Sequence, residues 1–253
     1  MSSKKLITDP KKRFSSRVEN YVKYRPNYPV KIIEFLKEKK ILTKDTVIAD
    51  IGSGTGILSK IFLDNNNQVY GIEPNKDMRE AAEKFLQEYS NFTSLEGSAE
   101  STGLKEGSIN LITAGQAFHW FDVEEAKREF KKILKPNGNV VIIWNNRTKK
   151  GAEFNSSYEN FISKYGTDYK EVRKREGSIN RLYRYHKQSF YNFQDFDLSS
   201  LKGRVLSSSY IPLADNPIFP KMIIELEELF EKHQQNGIIR IEYNTEVYYG
   251  QLE

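Results

Sequence analysis

The sequence predicts an α/β fold built on a parallel sheet, and three observations predict it. Between residues 45 and 147, short apolar runs alternate with amphipathic stretches at the spacing of βαβ units. The runs are almost continuously apolar, as strands covered on both faces are. The first run opens directly onto a cluster of glycines, and ligands in such sheets bind at the carboxyl ends of the strands.

Each element has its own warrant. TVIADIG (46–52) is a short apolar run closed by an acid and a glycine, and reads as a buried strand. ILSKIFLDN (57–65) carries apolar residues at helical spacing. QVYGIE (68–73) is a second strand. The stretch 75–89 is a helix capped by Asn75, with Met78, Ala81, Ala82, Phe85 and Leu86 on its inner face. A third, short strand lies in 91–100 and a fourth in 108–117. The spacing predicts a helix over 123–138, with Ala126, Phe130, Ile133 and Leu134 inward and Pro136 and Gly138 ending it. NVVIIWNN (139–146) is the fifth strand. Residues 12–40 read as helical, broken by RPNYP (25–29). Residues 151–187 read as a polar, Tyr-rich helical cap, and 217–235 as a helix with an acidic face (Glu225, Glu227, Glu228, Glu231). Alternation in 237–251 reads as a final strand or hairpin.

Composition narrows the chemistry. The 253 residues are enough for one large domain, or for a domain with a smaller cap. There is no cysteine, which excludes disulfides, thiolate metal sites and a cysteine nucleophile. His119, His186 and His233 are too scattered for a local metal motif, so no metal is expected. No apolar run reaches the ~20 residues of a membrane span. The start, MSSKKLITDPKKRF, has no apolar stretch after its lysines, so no secretory leader is expected and the expected location is cytoplasmic. The net charge of +5 is uneven: residues 1–40 carry +8, 41–150 carry −1 and 151–253 carry −2. A second basic cluster runs from Lys170 to Lys187, with Tyr165, Tyr169, Tyr183 and Tyr185 interleaved. It reads either as a polyanion-binding surface or as an ordinary solvated face, and the near-neutral remainder favours the latter.

The sharpest feature is Asp50-Ile51-Gly52-Ser53-Gly54-Thr55-Gly56, between a predicted strand and a predicted helix. Glycines there let the backbone turn sharply and approach a ligand. Glu73 ends the next strand, where an acid can accept hydrogen bonds from both ribose hydroxyls of a nucleoside. A dinucleotide site asks for GxGxxG facing a pyrophosphate. Here Ile57 stands in the place of the third glycine, and Asp50 beside the loop would repel a pyrophosphate. An acid there suits a cationic ligand, so the residues favour S-adenosylmethionine over NAD.

On these residues the sequence resembles the class I S-adenosylmethionine-dependent methyltransferases. The likeness is closest to the small-molecule branch that includes the ubiquinone, menaquinone and trans-aconitate methyltransferases. It is strong over 45–147. It extends more weakly to 21–29, to SSSYIP (207–212) and to EVYYG (246–250). The resemblance implies a Rossmann-like, doubly wound α/β fold: a mostly parallel seven-stranded sheet with an antiparallel last strand and a helical cap. It divides the chain into an N-terminal helical lid (1–40), a cofactor-binding core (41–150), and a cap plus sheet-completing strands (151–253). It places Asp50, Gly52, Ser53, Gly54 and Gly56 under the methionine part of the cofactor, and Glu73 at the ribose with Pro74 beside it. Ser98, Ala99 and Glu100 then flank the adenine, and Gln116 borders the reactive end. It also implies that Tyr21, Tyr24, Arg25 and Tyr28 form a lid over the site.

Methyl transfer from a sulfonium is an in-line displacement in which the protein mainly positions the reactants. A base is needed only if the acceptor must lose a proton. His119 is the candidate, as a base or as a residue that holds the turn, with Trp120 beside it at the mouth of the site. Arg25 suits a carboxylate of the cofactor or of the substrate, and Arg147 is a second candidate for an acidic substrate. Strand four ends in TAGQAFHW, without the (Asp/Asn)-Pro-Pro-(Tyr/Phe) segment of enzymes that methylate amino groups of nucleic acids. The expected acceptor is a small molecule, methylated at oxygen on a carboxylate or hydroxyl, with carbon and nitrogen left open, and nucleic acid is disfavoured. The rival readings are an RNA methyltransferase using 170–187, a non-catalytic S-adenosylmethionine-binding protein, and a nucleotide-dependent oxidoreductase.

Overall fold

Seven strands form one sheet in the order β3-β2-β1-β4-β5-β7-β6. The structure is a computed structural model, and residues 17–148, 153–167 and 179–252 are described. The strands are β1 (Ile48–Ile51), β2 (Val69–Ile72), β3 (Phe92–Leu95), β4 (Ile109–Gly115), β5 (Leu134–Arg147), β6 (His186–Phe196) and β7 (Ile239–Gln251). Strands β1 to β5 pair in parallel. Strand β7 inserts antiparallel between β5 and β6, with Ile143 opposite Val247 and Phe190 opposite Thr245. The last strand is antiparallel, as expected, and a mostly parallel sheet with helices on its faces is observed.

Helices α1 (Val18–Tyr24) and α2 (Lys31–Glu38) precede the sheet; α3 (Ile57–Leu63), α4 (Lys76–Phe85) and α5 (Val123–Ile133) connect its parallel strands. Caps set the starts of α4 and α5. Asn75 Oδ1 accepts from the Met78 amide at 3.0 Å, and Asp122 accepts from Glu124 and Glu125. One face of the sheet packs Ala49, Ile51, Ile112 and Ile142 against Ala126, Phe130 and Ile133 of α5. The other face packs Ile48, Leu111 and Val141 against Ile32 and Leu36 of α2 and Leu58 and Phe62 of α3. The central strands are thus largely apolar, Asp50 and Thr113 aside, because both faces are covered.

A third core lies beyond the sheet. Helices α6 (Glu153–Tyr165), α8 (Leu198–Leu206) and α9 (Phe219–His233) enclose Phe154, Tyr158, Leu201, Met222 and Leu226. Phe196 at the end of β6 and Ile239, Ile241 and Tyr243 at the start of β7 close it. Tyr243 lies opposite Arg147, so this helical layer stands at the carboxyl end of β5. The short helix α7 (Ile179–Leu182) packs instead on the sheet face that carries α5.

Three expectations are corrected. Helix α5 ends at Ile133, with Leu134 already extended, so Pro136 and Gly138 lie within the first turns of β5 rather than stopping a helix. Phe85 is exposed, because Met78, Ala82 and Leu86 take the buried stripe of α4 and its continuation. His186 and Lys187 belong to the edge strand β6 and not to a helical cap. Residues 1–16 of the basic start, and Tyr169 and 170–178 of the second basic cluster, lie outside the described residues. In the described remainder of that cluster, Arg181 pairs with Glu124 and Lys187 with Glu246.

Candidate active site

A cleft runs across the carboxyl ends of β1, β2 and β4 in two halves that share Tyr21, Gly52, Gly54, Gly115 and Gln116. The turn after β1 is its floor. Gly54 has φ +55°, and a Cβ there would meet no atom within 4 Å, so this backbone faces open space. Gly52 has φ +67°, and a Cβ on it would come within 2.6 Å of the Cβ of Ala117. Gly56, expected under the cofactor, does not line the cleft. It starts α3, and a Cβ on it would run into Leu86.

The first half is lined by Arg25, Tyr28, Asp50, Ser53, Thr55 and Asn145, among others. Asp50 is fully buried and accepts from Ser59 Oγ at 2.7 Å and Thr113 Oγ1 at 3.0 Å. Burial raises its pKa to about 6, against the lowering by the two hydroxyls. Arg25 lies 4.6 Å from the centre of the Tyr21 ring, and its Nη2 donates to the Ser207 carbonyl at 2.9 Å. Burial pushes the Tyr28 hydroxyl well up, Tyr21 and Asp50 add to this, and it remains a protonated donor. This half is walled by one buried carboxylate and one half-buried guanidinium.

The second half is lined by Glu73, Pro74, Met78, Ser98, Ala99, Glu100, Ala117, Trp120 and Phe121, together with the shared residues. Glu73 Oε2 accepts from the Gly54 amide at 3.0 Å, and Oε1 accepts from the Asn75 amide at 2.9 Å. Burial raises its pKa against these two bonds. Each oxygen keeps further acceptor capacity, and the carboxylate is fixed in place by the glycine turn and the start of α4. Glu100 accepts from the Asp122 amide at 2.8 Å, which ties the floor of this half to the cap of α5.

Gln116 lies at the junction in the left-handed region, with φ 57°. Its side chain donates to the Asn145 carbonyl at 3.3 Å. A non-glycine residue held there marks a position that the surrounding structure over-determines.

Other expected residues stand elsewhere. Tyr24 does not line the cleft; it packs on α8 at Gly203. Arg147 is neither in the cleft nor solvated, since its guanidinium binds Glu159 at 2.8 and 3.1 Å and lies over the Tyr158 ring. His119 does not line either half. It sits in a single 3₁₀ turn (Phe118–Trp120), stacked on Trp144 and tilted against Trp120. Thr55, Ile57, Leu58, Met78, Phe121 and Asn145 line the cleft without having been singled out for it. Met78 reads as an ordinary buried-stripe residue. Asn145 is brought in by β5, and its Oδ1 accepts from Thr245 at 2.6 Å, a hundred residues away.

The strand order agrees with the comparisons. Residues 49–142 match the methyltransferase domain family. An uncharacterized methyltransferase of Schizosaccharomyces pombe is 32% identical over 135 residues, 53% of this chain and 53% of that protein. The chain therefore matches about half the length of such curated relatives. The crystal structure of an inferred S-adenosyl-L-methionine-dependent methyltransferase from Methanococcus maripaludis is 25% identical, covering 74% of this chain and 91% of that one with TM-score 0.53. Residues 49–142 are thus similar to a methyltransferase domain, on a sheet with the Rossmann-like fold of S-adenosylmethionine-dependent methyltransferases. The likeness of fold extends past this domain. An inferred type II methyltransferase from Anaeromyxobacter dehalogenans, at 16% identity, superposes over 90% of this chain and 98% of its own with TM-score 0.72. The matched segment supplies the glycine turn, Asp50 and Glu73, whereas Arg25, Tyr28 and Asn145 come from outside it. Among the described residues no helix is long and apolar enough to cross a membrane, and no cluster of His, Cys, Asp and Glu suits a metal ion.

Proposed function

We propose that the protein is an active methyltransferase that moves a methyl group from S-adenosylmethionine to an oxygen of a small-molecule acceptor, a carboxylate or a hydroxyl, in the cytoplasm. The observation that carries the cofactor assignment is the pairing of the open Gly54 turn with Glu73, whose carboxylate that turn itself orients. When bound, S-adenosylmethionine supplies an electrophilic methyl on a sulfonium. Asp50, Gly52, Ser53, Gly54 and Gln116 take its methionine part, Glu73 its ribose hydroxyls, and Pro74, Ser98, Ala99 and Glu100 its adenine. The buried carboxylate of Asp50 favours the cationic end of such a ligand over a pyrophosphate. Helix α1, with Tyr21 and Arg25, covers the cleft and keeps water from the reacting atoms.

The acceptor enters from the side of α6 and α8, above the end of β5. His119, stacked on Trp144 and tilted against Trp120, stands behind the cleft and holds the turn that brings Trp120 into its lining. An acceptor that is already ionised needs no base. The small-molecule reading is supported by the absence of an (Asp/Asn)-Pro-Pro-(Tyr/Phe) segment after β4 and by the acidic partners of Arg181 and Lys187.

Calorimetry with S-adenosylmethionine tests the reading. Micromolar binding is expected, unaffected by NADH and lost in Asp50→Ala and Glu73→Ala. A folded wild-type protein that binds no S-adenosylmethionine would refute it.

A further inference from the structure

The half-buried guanidinium of Arg25 and the buried one of Arg204 meet at one turn, which also holds Arg17, at the boundary between the cleft and the helical layer. Arg25 donates to the carbonyl of Ser207. Arg204, 3% exposed, donates through Nη1 to the hydroxyls of Ser207 at 3.4 Å and Ser208 at 3.2 Å. Among the described residues neither makes an ion pair. The buried Nε of each, and the buried hydroxyl of Tyr158, have no hydrogen-bond partner there. Arg147, 5.3 Å from the centre of the Tyr158 ring, is the third guanidinium of the cluster and is matched by Glu159. Of Arg25, Arg204 and Arg147, it is Arg147 that has a carboxylate partner among the described residues, Glu159.

A buried charge without a counter-ion is expensive, and so is a buried hydroxyl without a partner. The imbalance is felt nearby. Burial alone would raise the pKa of Tyr210, yet Arg147, Arg25 and Arg204 together bring it below its ordinary value. Burial raises Tyr158 to about 12, so its hydroxyl stays a neutral donor.

The unused groups have a shape. With Nη1 of Arg204 committed to the serines, its Nε and Nη2 form a flat two-donor edge that matches the two oxygens of a carboxylate. We propose that this cluster is the acceptor's anion seat: a carboxylate of the methyl acceptor lies on the Nε–Nη2 edge of Arg204 and accepts from the Tyr158 hydroxyl, beside the cofactor cleft that Arg25 lines. The substrates are then small carboxylic acids. This rests on the methyltransferase reading above and narrows it to one substrate class.

The test uses the full chain saturated with S-adenosylhomocysteine and follows binding by calorimetry. The probes are acetate, phenylacetate and decanoate, each against its own amide, with inorganic phosphate as a separate arm. At least one carboxylate is expected to bind about tenfold or more tightly than its amide, as a lost charge-assisted pair implies. Arg204→Gln abolishes that preference. Arg204→Lys, which keeps the charge but not the fork, loses about tenfold. Tyr158→Phe loses roughly threefold, in line with one neutral hydrogen bond. S-adenosylhomocysteine binding stays unchanged in all three, which shows that they fold. The proposal is overturned if no carboxylate outbinds its amide, if both Arg204 variants keep the preference, or if phosphate binds more tightly than every carboxylate. Failure of the wild type to bind S-adenosylhomocysteine would instead overturn the underlying methyltransferase reading, and is seen before any probe is added.

Discussion

Asp50→Asn should make the ligand-free protein more stable and a poorer binder. Asp50 is fully buried, and its pKa rises from 3.8 to about 6, chiefly through desolvation. That rise is equivalent to about 3 kcal/mol of preference for the neutral form. The folded chain therefore holds the proton more tightly than the unfolded one, and stability contributed by this group falls as pH rises from about 4 to about 6. Above pH ~7 the full penalty is present. Asparagine keeps the shape and the neutrality, and its amide can still meet the hydroxyls of Ser59 and Thr113. Urea unfolding of the ligand-free variant at pH 8 should show a gain of up to about 3 kcal/mol, shrinking to roughly half at pH 5. S-adenosylmethionine affinity should drop by about tenfold or more, as loss of a close charge partner implies. A gain independent of pH, or no gain at pH 8, would refute the claim that an ionised, desolvated carboxylate is held there.

Gly52→Ala combines a left-handed backbone with a Cβ 2.6 Å from the Cβ of Ala117, two rigid atoms; a loss of about 3 kcal/mol in urea unfolding is expected, and a loss under 1 kcal/mol would contradict the contact. Glu159→Gln leaves the half-buried Arg147 without its anion; a destabilisation of about 2 kcal/mol is expected, with S-adenosylmethionine affinity unchanged, because neither residue lines the cleft.

What the sequence made legible was whatever a contiguous segment specifies by itself. The run from Ile48 to Arg147 places its own strands, turns and acids, and Gly54 and Glu73 meet because successive parallel strands end side by side. Strand β6 was hidden because its exposed edge gives HKQSFYNFQDF no continuous apolar face. Its alternation acquires meaning only through pairing with β7, about fifty residues on. The end of α5 was misjudged by reading Pro136 as the stop. Lys135, which precedes it, is disfavoured from helical backbone, and the chain leaves the helix at Leu134. Arg147 looked like a free cation because nothing near it in sequence announces Glu159 as a partner on α6. Asn145, Arg204 and Tyr158 were similarly silent. The neighbours of all three lie on other elements, and for Arg204 and Tyr158 the significance lies in a hydrogen-bond partner that is missing there.

The turn at 207–212 does more than seat Arg25 and Arg204. The guanidinium of Arg17, just ahead of α1, reaches the carbonyls of Leu206, Ser208 and Ile211 at 2.5 to 2.9 Å. The covering helix is therefore latched to the helical layer by Arg17, and to the sheet by a longer bond from Gln194 of β6 to the Tyr24 carbonyl. Lifting it for cofactor exchange means either breaking three charge-assisted bonds or dragging the turn along. In the second case, on the function proposed above, acceptor and cofactor affinities are coupled, and each ligand changes the affinity for the other by the same factor.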